Sequence, residues 1–358
     1  MPDLAVPTPV LGRARQAVIQ MLAAASLALL PGLAQAVIVV EGNGSLVPAA
    51  DLPGFSTLGV QGGPNGGFIG IPIGPSTWIG AGHAGVSSTL FYQGSSYSSR
   101  RLTALDVVDP LWGNTVVAGE VVVMELEAGV PRFSSWSPLW SGPAGLDANN
   151  TSLLVYGRGT ARGEAICRPG LSACDPTDLN QIAGWRWGGG QSLTTYGTGM
   201  LSTNASVSRN GAWITWPFEQ PTAANGLPGT TSMLSVGDSS GAVFAHNASA
   251  AAWQLVGLNY AVDLVYSLSI SSSGTRSCER VHGAVFNLTG FYRNNSCING
   301  TEITSESALR GHSYASSLHA LSHDLAPLAV PAPLPFAALA SAMGWARRLR
   351  RRIRTQSG

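Results

Sequence analysis

At 358 residues the chain is long enough for one large domain or two small ones. Only 11% of it is charged, all 20 basic residues are arginine, and the net charge is +1. Nothing electrostatic therefore points to nucleic acid, and the arginines crowded into the last dozen residues leave the body mildly acidic.

The amino terminus is predicted to be a secretory signal. Arg13 and Arg15 supply a basic region, Ala17 to Leu30 an apolar one, and Ala34-Gln35-Ala36 a small-x-small cleavage site. Residues 1–36 would be removed and the mature chain would begin at Val37. The apolar run is too short for a membrane anchor, and Pro31-Gly32 ends it. Four cysteines in an exported chain suggest disulfides. Proximity along the chain favours Cys167–Cys174 and Cys278–Cys297, one of three possible connectivities. No histidine pair accompanies them, so no metal site is expected, and nothing calls for a cofactor.

From Val37 to about Asn299 short β-like runs are broken by Gly, Pro, Asn and Ser. Phe68–Ile73, Val116–Leu126, Ser152–Tyr156, Trp213–Pro217, Trp253–Tyr260 and Ala284–Leu288 are examples. No long segment before residue 300 has helical periodicity, so the chain is predicted to be all-β. Residues 301–329 turn polar and read as a surface linker. Residues 330–358 combine prolines, a short apolar stretch and an arginine cluster. Val330-Pro331-Ala332-Pro333, succeeded by the apolar stretch and the arginines, resembles the bacterial PEP-CTERM-type sorting signals. That resemblance implies tethering to a membrane or cell surface and cleavage by a sorting peptidase.

Two segments carry chemistry. Gly237-Asp238-Ser239-Ser240-Gly241 sets a serine among glycines that let the backbone turn sharply and aim N–H groups at one point. Thr77-Trp78-Ile79-Gly80-Ala81-Gly82-His83 sets a histidine at the end of an apolar strand-like run. Together they resemble the trypsin/chymotrypsin family of serine peptidases, whose patterns run roughly W-[VI]-[LI]-[TS]-A-A-H-C and G-D-S-G-G-P. Ala84 stands in place of the cysteine, Ser240 in place of a glycine and Ala242 in place of the proline. Further along, Val155–Thr160, Trp253–Tyr260 and Gly283–Leu288 are similar to three later family strands, in the same order.

The resemblance implies two packed Greek-key six-stranded β-barrels of the chymotrypsin type. Residues 37–150 would carry the histidine and residues 151–300 the serine. It implies an exported or cell-surface serine endopeptidase acting on polypeptides through an acyl-enzyme. His83 and Ser239 would react, and Gly237 and Ser239 would supply the oxyanion donors. The acid aligns with Glu120, and Asp106 and Asp109 stand as alternatives. Met233 falls at the floor of the specificity pocket, while Asn259, Tyr260 and Ala261 fall on the strand that holds substrate backbone. With no carboxylate at Met233, an apolar or small side chain is expected there. Asp238 would pair with a free amine at Val37 in a chain activated by cleavage. The competing reading is a catalytically inactive peptidase-like surface binding protein.

Overall fold

The computed structural model describes residues 37–39, 52–109, 115–142, 151–189, 194–200, 213–219, 231–293 and 311–329, with 146, 297 and 302–304. The expected signal segment and the expected sorting tail lie outside the described residues. Those residues are almost entirely β, as the sequence predicts. The first half contains β1 (Ile38–Val39), β2 (Gly59–Gln61), β3 (Ile69–Pro72), β4 (Thr77–Ala81), β5 (Thr89–Tyr92), β6 (Ser95–Asp109) and β7 (Thr115–Leu126). Strands β2-β3-β4-β7-β6-β5 close into a six-stranded barrel with antiparallel neighbours throughout.

The second half contains β8 (Ser152–Gly157), β9 (Arg162–Cys167), β10 (Ile182–Trp187), β11 (Thr195–Met200), β12 (Trp213–Phe218) and β13 (Ser232–Met233). It continues through β14 (Ala242–Asn247), β15 (Ala252–Val262), β16 (Val265–Ile270), β17 (Arg276–Val281), β18 (Gly283–Val285), β19 (Tyr292–Arg293) and β20 (Gly311–Ser317), before helix α1 (Ser322–Leu325). A six-stranded sheet runs β11-β8-β14-β15-β20-β12, and its end strands β11 and β12 touch without ladder pairing among the described residues. Two three-stranded sheets, β18-β10-β9 and β17-β16-β19, flank it.

The two-residue period of strands explains how the halves join. On β7, Val122 and Met124 pack with Trp78, Leu90 and Tyr92. Val121 and Val123 face the other way, with Ile69, Ile71 and Ile79, into a core shared with the second half. There they meet Leu154, Tyr156, Ala242, Phe244 and Leu258. The alternate residues of β8 and β14, namely Leu153, Val155, Val243 and Ala245, build a separate core with Ile214, Trp216 and Val256. Each buried side chain of this size contributes about 1.5–3 kcal/mol.

Two expectations about organisation are corrected. Residues 311–317 are no linker: β20 lies between β15 and β12, antiparallel to both. Residues 38–39, expected in the first barrel, belong to the second half, because β1 pairs with β13 and Ile38 packs against Met233, Phe218 and Trp185. Both disulfides have the expected connectivity, Cys167 with Cys174 and Cys278 with Cys297.

Candidate active site

Strand β4 ends in a single tight turn, Gly82–Ala84, that carries His83. Opposite it, β7 begins its buried run at Glu120, whose side chain is fully shielded from solvent. His83 Nδ1 lies 2.8 Å from Glu120 Oε2 and 3.0 Å from Oε1. The glutamate is longer by a methylene than the aspartate of the family pattern, and two glycines flank the contact. A Cβ on Gly82 would collide with the Gly119 carbonyl, and Gly119 itself has φ +65°. Ser316 Oγ, from β20, donates to Glu120 Oε1 at 3.2 Å.

The other face of the imidazole meets the serine. His83 Nε2 and Ser239 Oγ are 2.8 Å apart, and Tyr260 holds the ring edge-on at 4.9 Å between centroids. The turn before Ser239 depends on Gly237, at φ +90°. Asp238 points inward and is fully buried, taking the N–H groups of Gly159 (2.8 Å) and Ser235 (2.6 Å) and the Ser235 hydroxyl. Burial pushes its carboxyl up to about 7 against those hydrogen bonds. Ser240 sits at φ +64°, a left-handed conformation that costs a non-glycine residue about 1–2 kcal/mol. Its side chain is wholly buried and its Oγ makes three hydrogen bonds.

A cleft of about 520 Å³ opens beside Ser239. Gly237, Ser239, Tyr260 and Ala261 are among the residues that line it. The Gly237 and Ser239 N–H groups have no acceptor among the described residues. Met233 and Asn259 are not part of this cleft. Met233 is buried beneath Ile38, and Asn259 ties the serine turn down. Its Nδ2 donates to the Tyr156 carbonyl at 2.8 Å and its carbonyl accepts from Ser240 N–H at 3.0 Å. Counting six residues back from the serine puts Met233 at the pocket floor, and the structure packs it against Ile38 instead.

The carboxylate that does border the cleft is Asp263, and it is already engaged. Tyr314 Oη donates to it at 2.6 Å, His312 reaches it through N–H and Nδ1 at 3.1 Å each, and Arg293 pairs at 3.4 Å. Of the alternative acids, Asp106 accepts from the Gly119 N–H at 2.7 Å instead of reaching the histidine. Asp109 pairs with Thr115 in the ladder far along β6, and its side chain lies outside the described residues. The predicted pairing of Asp238 with an amine is not formed in the intact chain, where Val37 N–H donates to Thr195 Oγ1 at 3.0 Å. Ser316 and Gly82 carried no sequence signal of their own.

Among the described residues no group of His, Cys, Asp and Glu could hold a metal ion, and no helix is long and apolar enough to cross a membrane. The chain matches no protein-family model and no curated protein. Solved structures to which it is similar include the passenger domain of Plasmid encoded toxin, an autotransporter enterotoxin from enteroaggregative Escherichia coli. That match has 13% identity over 70% of this chain and 24% of the other, with a TM-score of 0.32. Another is the Haemophilus influenzae Hap adhesin, with 11% identity over 67% of this chain and 27% of the other, and a TM-score of 0.37. The chain spans about a quarter of the length of each.

Proposed function

We propose that the chain is an exported serine endopeptidase that hydrolyses peptide bonds through an acyl-enzyme. The observation that carries this reading is the continuous hydrogen-bonded relay from Glu120 through His83 to Ser239, set at the edge of a cleft. Glu120 fixes the tautomer that leaves His83 Nε2 free to accept, and stabilises the imidazolium that forms. His83 Nε2 takes the Ser239 proton as Oγ attacks the substrate carbonyl, then returns it to the departing amine. The N–H groups of Gly237 and Ser239, which have no other acceptor among the described residues, stabilise the tetrahedral oxyanion. Water repeats the sequence on the ester and frees Ser239.

The second six-stranded sheet, with its end strands in contact, supports a two-barrel architecture of the chymotrypsin type. Two disulfides support an oxidising, extracytoplasmic location. The cleft walls include Val236, Ala261, Val262 and Leu264, with Trp187, Arg280 and Arg293. With Asp263 already engaged, the cleft favours apolar or small side chains over arginine and lysine. A panel of chromogenic peptides tests this, and preferred cleavage after arginine would overturn it.

A fluorophosphonate probe tests the central reading. It is expected to label the protein covalently, and Ser239→Ala is expected to remove both labelling and peptide hydrolysis. Absent labelling, or equal labelling of the variant, would leave a peptidase-like binding domain as the better description.

A further inference from the structure

The residue after the nucleophile joins the two halves of the site. Ser240 belongs to the second half of the chain, yet all three partners of its hydroxyl lie in the first barrel. Its Oγ donates to the Ile69 carbonyl at 2.7 Å. It accepts from the Ala81 N–H at 2.9 Å and from Gln61 Nε2 at 3.1 Å. One donor and two acceptor sites are thus all in use. Ala81 ends β4 two residues before His83, and Ser240 follows Ser239 directly. The hydroxyl therefore spans the shortest route between the histidine turn and the serine turn.

We infer that Ser240 is a positioning residue, whose hydroxyl sets the separation of Ser239 from His83; the inference rests on the peptidase reading of the site. A second observation identifies its counterpart. Gly80 has no side chain, and a Cβ built there would lie 3.2 Å from Ser240 Oγ and 2.7 Å from Gln61 Nε2. The space a side chain at position 80 would fill is taken up by the Ser240 hydroxyl and the end of Gln61. Gly80 and Ser240 are thus a complementary pair: one hydroxyl serves the junction, and only one side can supply it. A hydroxyl moved to position 80 needs the Ser240 hydroxyl gone and the end of Gln61 shifted. Ser240→Gly supplies the first while relaxing a left-handed backbone that glycine adopts freely.

The test compares wild type with Ser240→Gly, Ser240→Ala, Gly80→Ser and the double variant Gly80→Ser/Ser240→Gly. Labelling rate by a fluorophosphonate, kcat, KM and melting temperature are measured for each. Both single changes at 240 are expected to lower kcat and labelling rate tenfold or more, with KM within twofold. Ser240→Gly should melt no lower than Ser240→Ala, since it relieves the backbone while losing the same bonds. The double variant should recover activity above either of its parent singles, which a purely structural role would not give. Wild-type rates in Ser240→Gly, or a double variant no better than its parents, would overturn the positioning role. If Ser240→Gly melts below the assay temperature, Ser240→Cys gives the same reading with the side chain retained. A fall in its kcat at unchanged KM supports the role, and wild-type kcat overturns it. Failure of wild type to label would retire the peptidase reading itself, which a labelled wild type with indifferent variants would not.

Discussion

A glutamate can replace aspartate beside the histidine only if the two backbone segments shift to take up its extra methylene. Gly82 and Gly119 supply that freedom, and Ser316 holds the carboxylate once it is in place. Glu120→Gln preserves the shape but offers the imidazole the wrong hydrogen-bonding partner for catalysis. It is expected to lower kcat by about 10³–10⁴ with little change in KM, read from steady-state peptide kinetics. A loss below tenfold would show that the acid is not working through His83. Asp238 makes a different prediction at the same scale. A carboxyl whose folded pKa stands above its unfolded value takes up a proton on folding. Its contribution to stability is complete below about pH 4 and is lost as pH rises through about 7. Urea midpoints across that window should fall with rising pH in wild type. Asp238→Asn should be less stable at low pH but lack that share of the slope; parallel curves would refute the assignment. A chain cut to begin at Val37 should show a weaker slope if its ammonium turns towards Asp238. His83 and Ser239 were legible because glycine-bounded motifs announce them. The pocket floor was not, because a count of six residues back from the serine lands on Met233, which is buried against Ile38.

At the scale of elements, alternation was legible where both strand faces are apolar. The run Val121-Val122-Val123-Met124 announces a strand buried on two sides, and β7 is one. Strand β20 was missed because its interior positions are serines. Ser313 Oγ accepts from the Leu234 N–H at 3.0 Å, and Ser316 serves Glu120, so these hydroxyls are buried on specific partners. Polar composition alone cannot distinguish such a strand from a linker, because its partners lie some eighty and two hundred residues away in sequence. The consequence is testable by truncation. A chain ending at residue 304 loses the strand between β15 and β12 and should give no cooperative unfolding transition. One ending at residue 329 should melt as the full chain does. Near-equal melting of the two would mean that β20 adds nothing to the sheet. Phe244→Ala, in the core shared by the two halves, is expected to cost about 3–5 kcal/mol in denaturant unfolding.

Across the whole molecule, the reactive relay and the cleft wall rest on different parts of the chain. The relay joins β4, β7 and the serine turn, which the shared core and the Ser240 hydroxyl hold together. One wall of the cleft comes from the sheet β17-β16-β19, through Arg280 on β17 and Arg293 on β19. Cys278, two residues before Arg280, is tied to Cys297, four residues beyond Arg293, so this disulfide braces that wall. Cys167–Cys174 closes a span of seven residues at the end of β9 and has no residue in the cleft. On the proposed peptidase reading, loosening this wall should weaken binding of extended peptides without disturbing a small probe that needs only Ser239 and its neighbouring N–H groups. The paired variant Cys278→Ser/Cys297→Ser is therefore expected to raise KM for extended peptides several-fold while fluorophosphonate labelling stays within twofold of wild type. Cys167→Ser/Cys174→Ser should leave both readings near wild type. A parallel fall in labelling and peptide turnover in the first variant would show that the flanking sheet also supports the relay, and that wall and reactive centre form one mechanical unit.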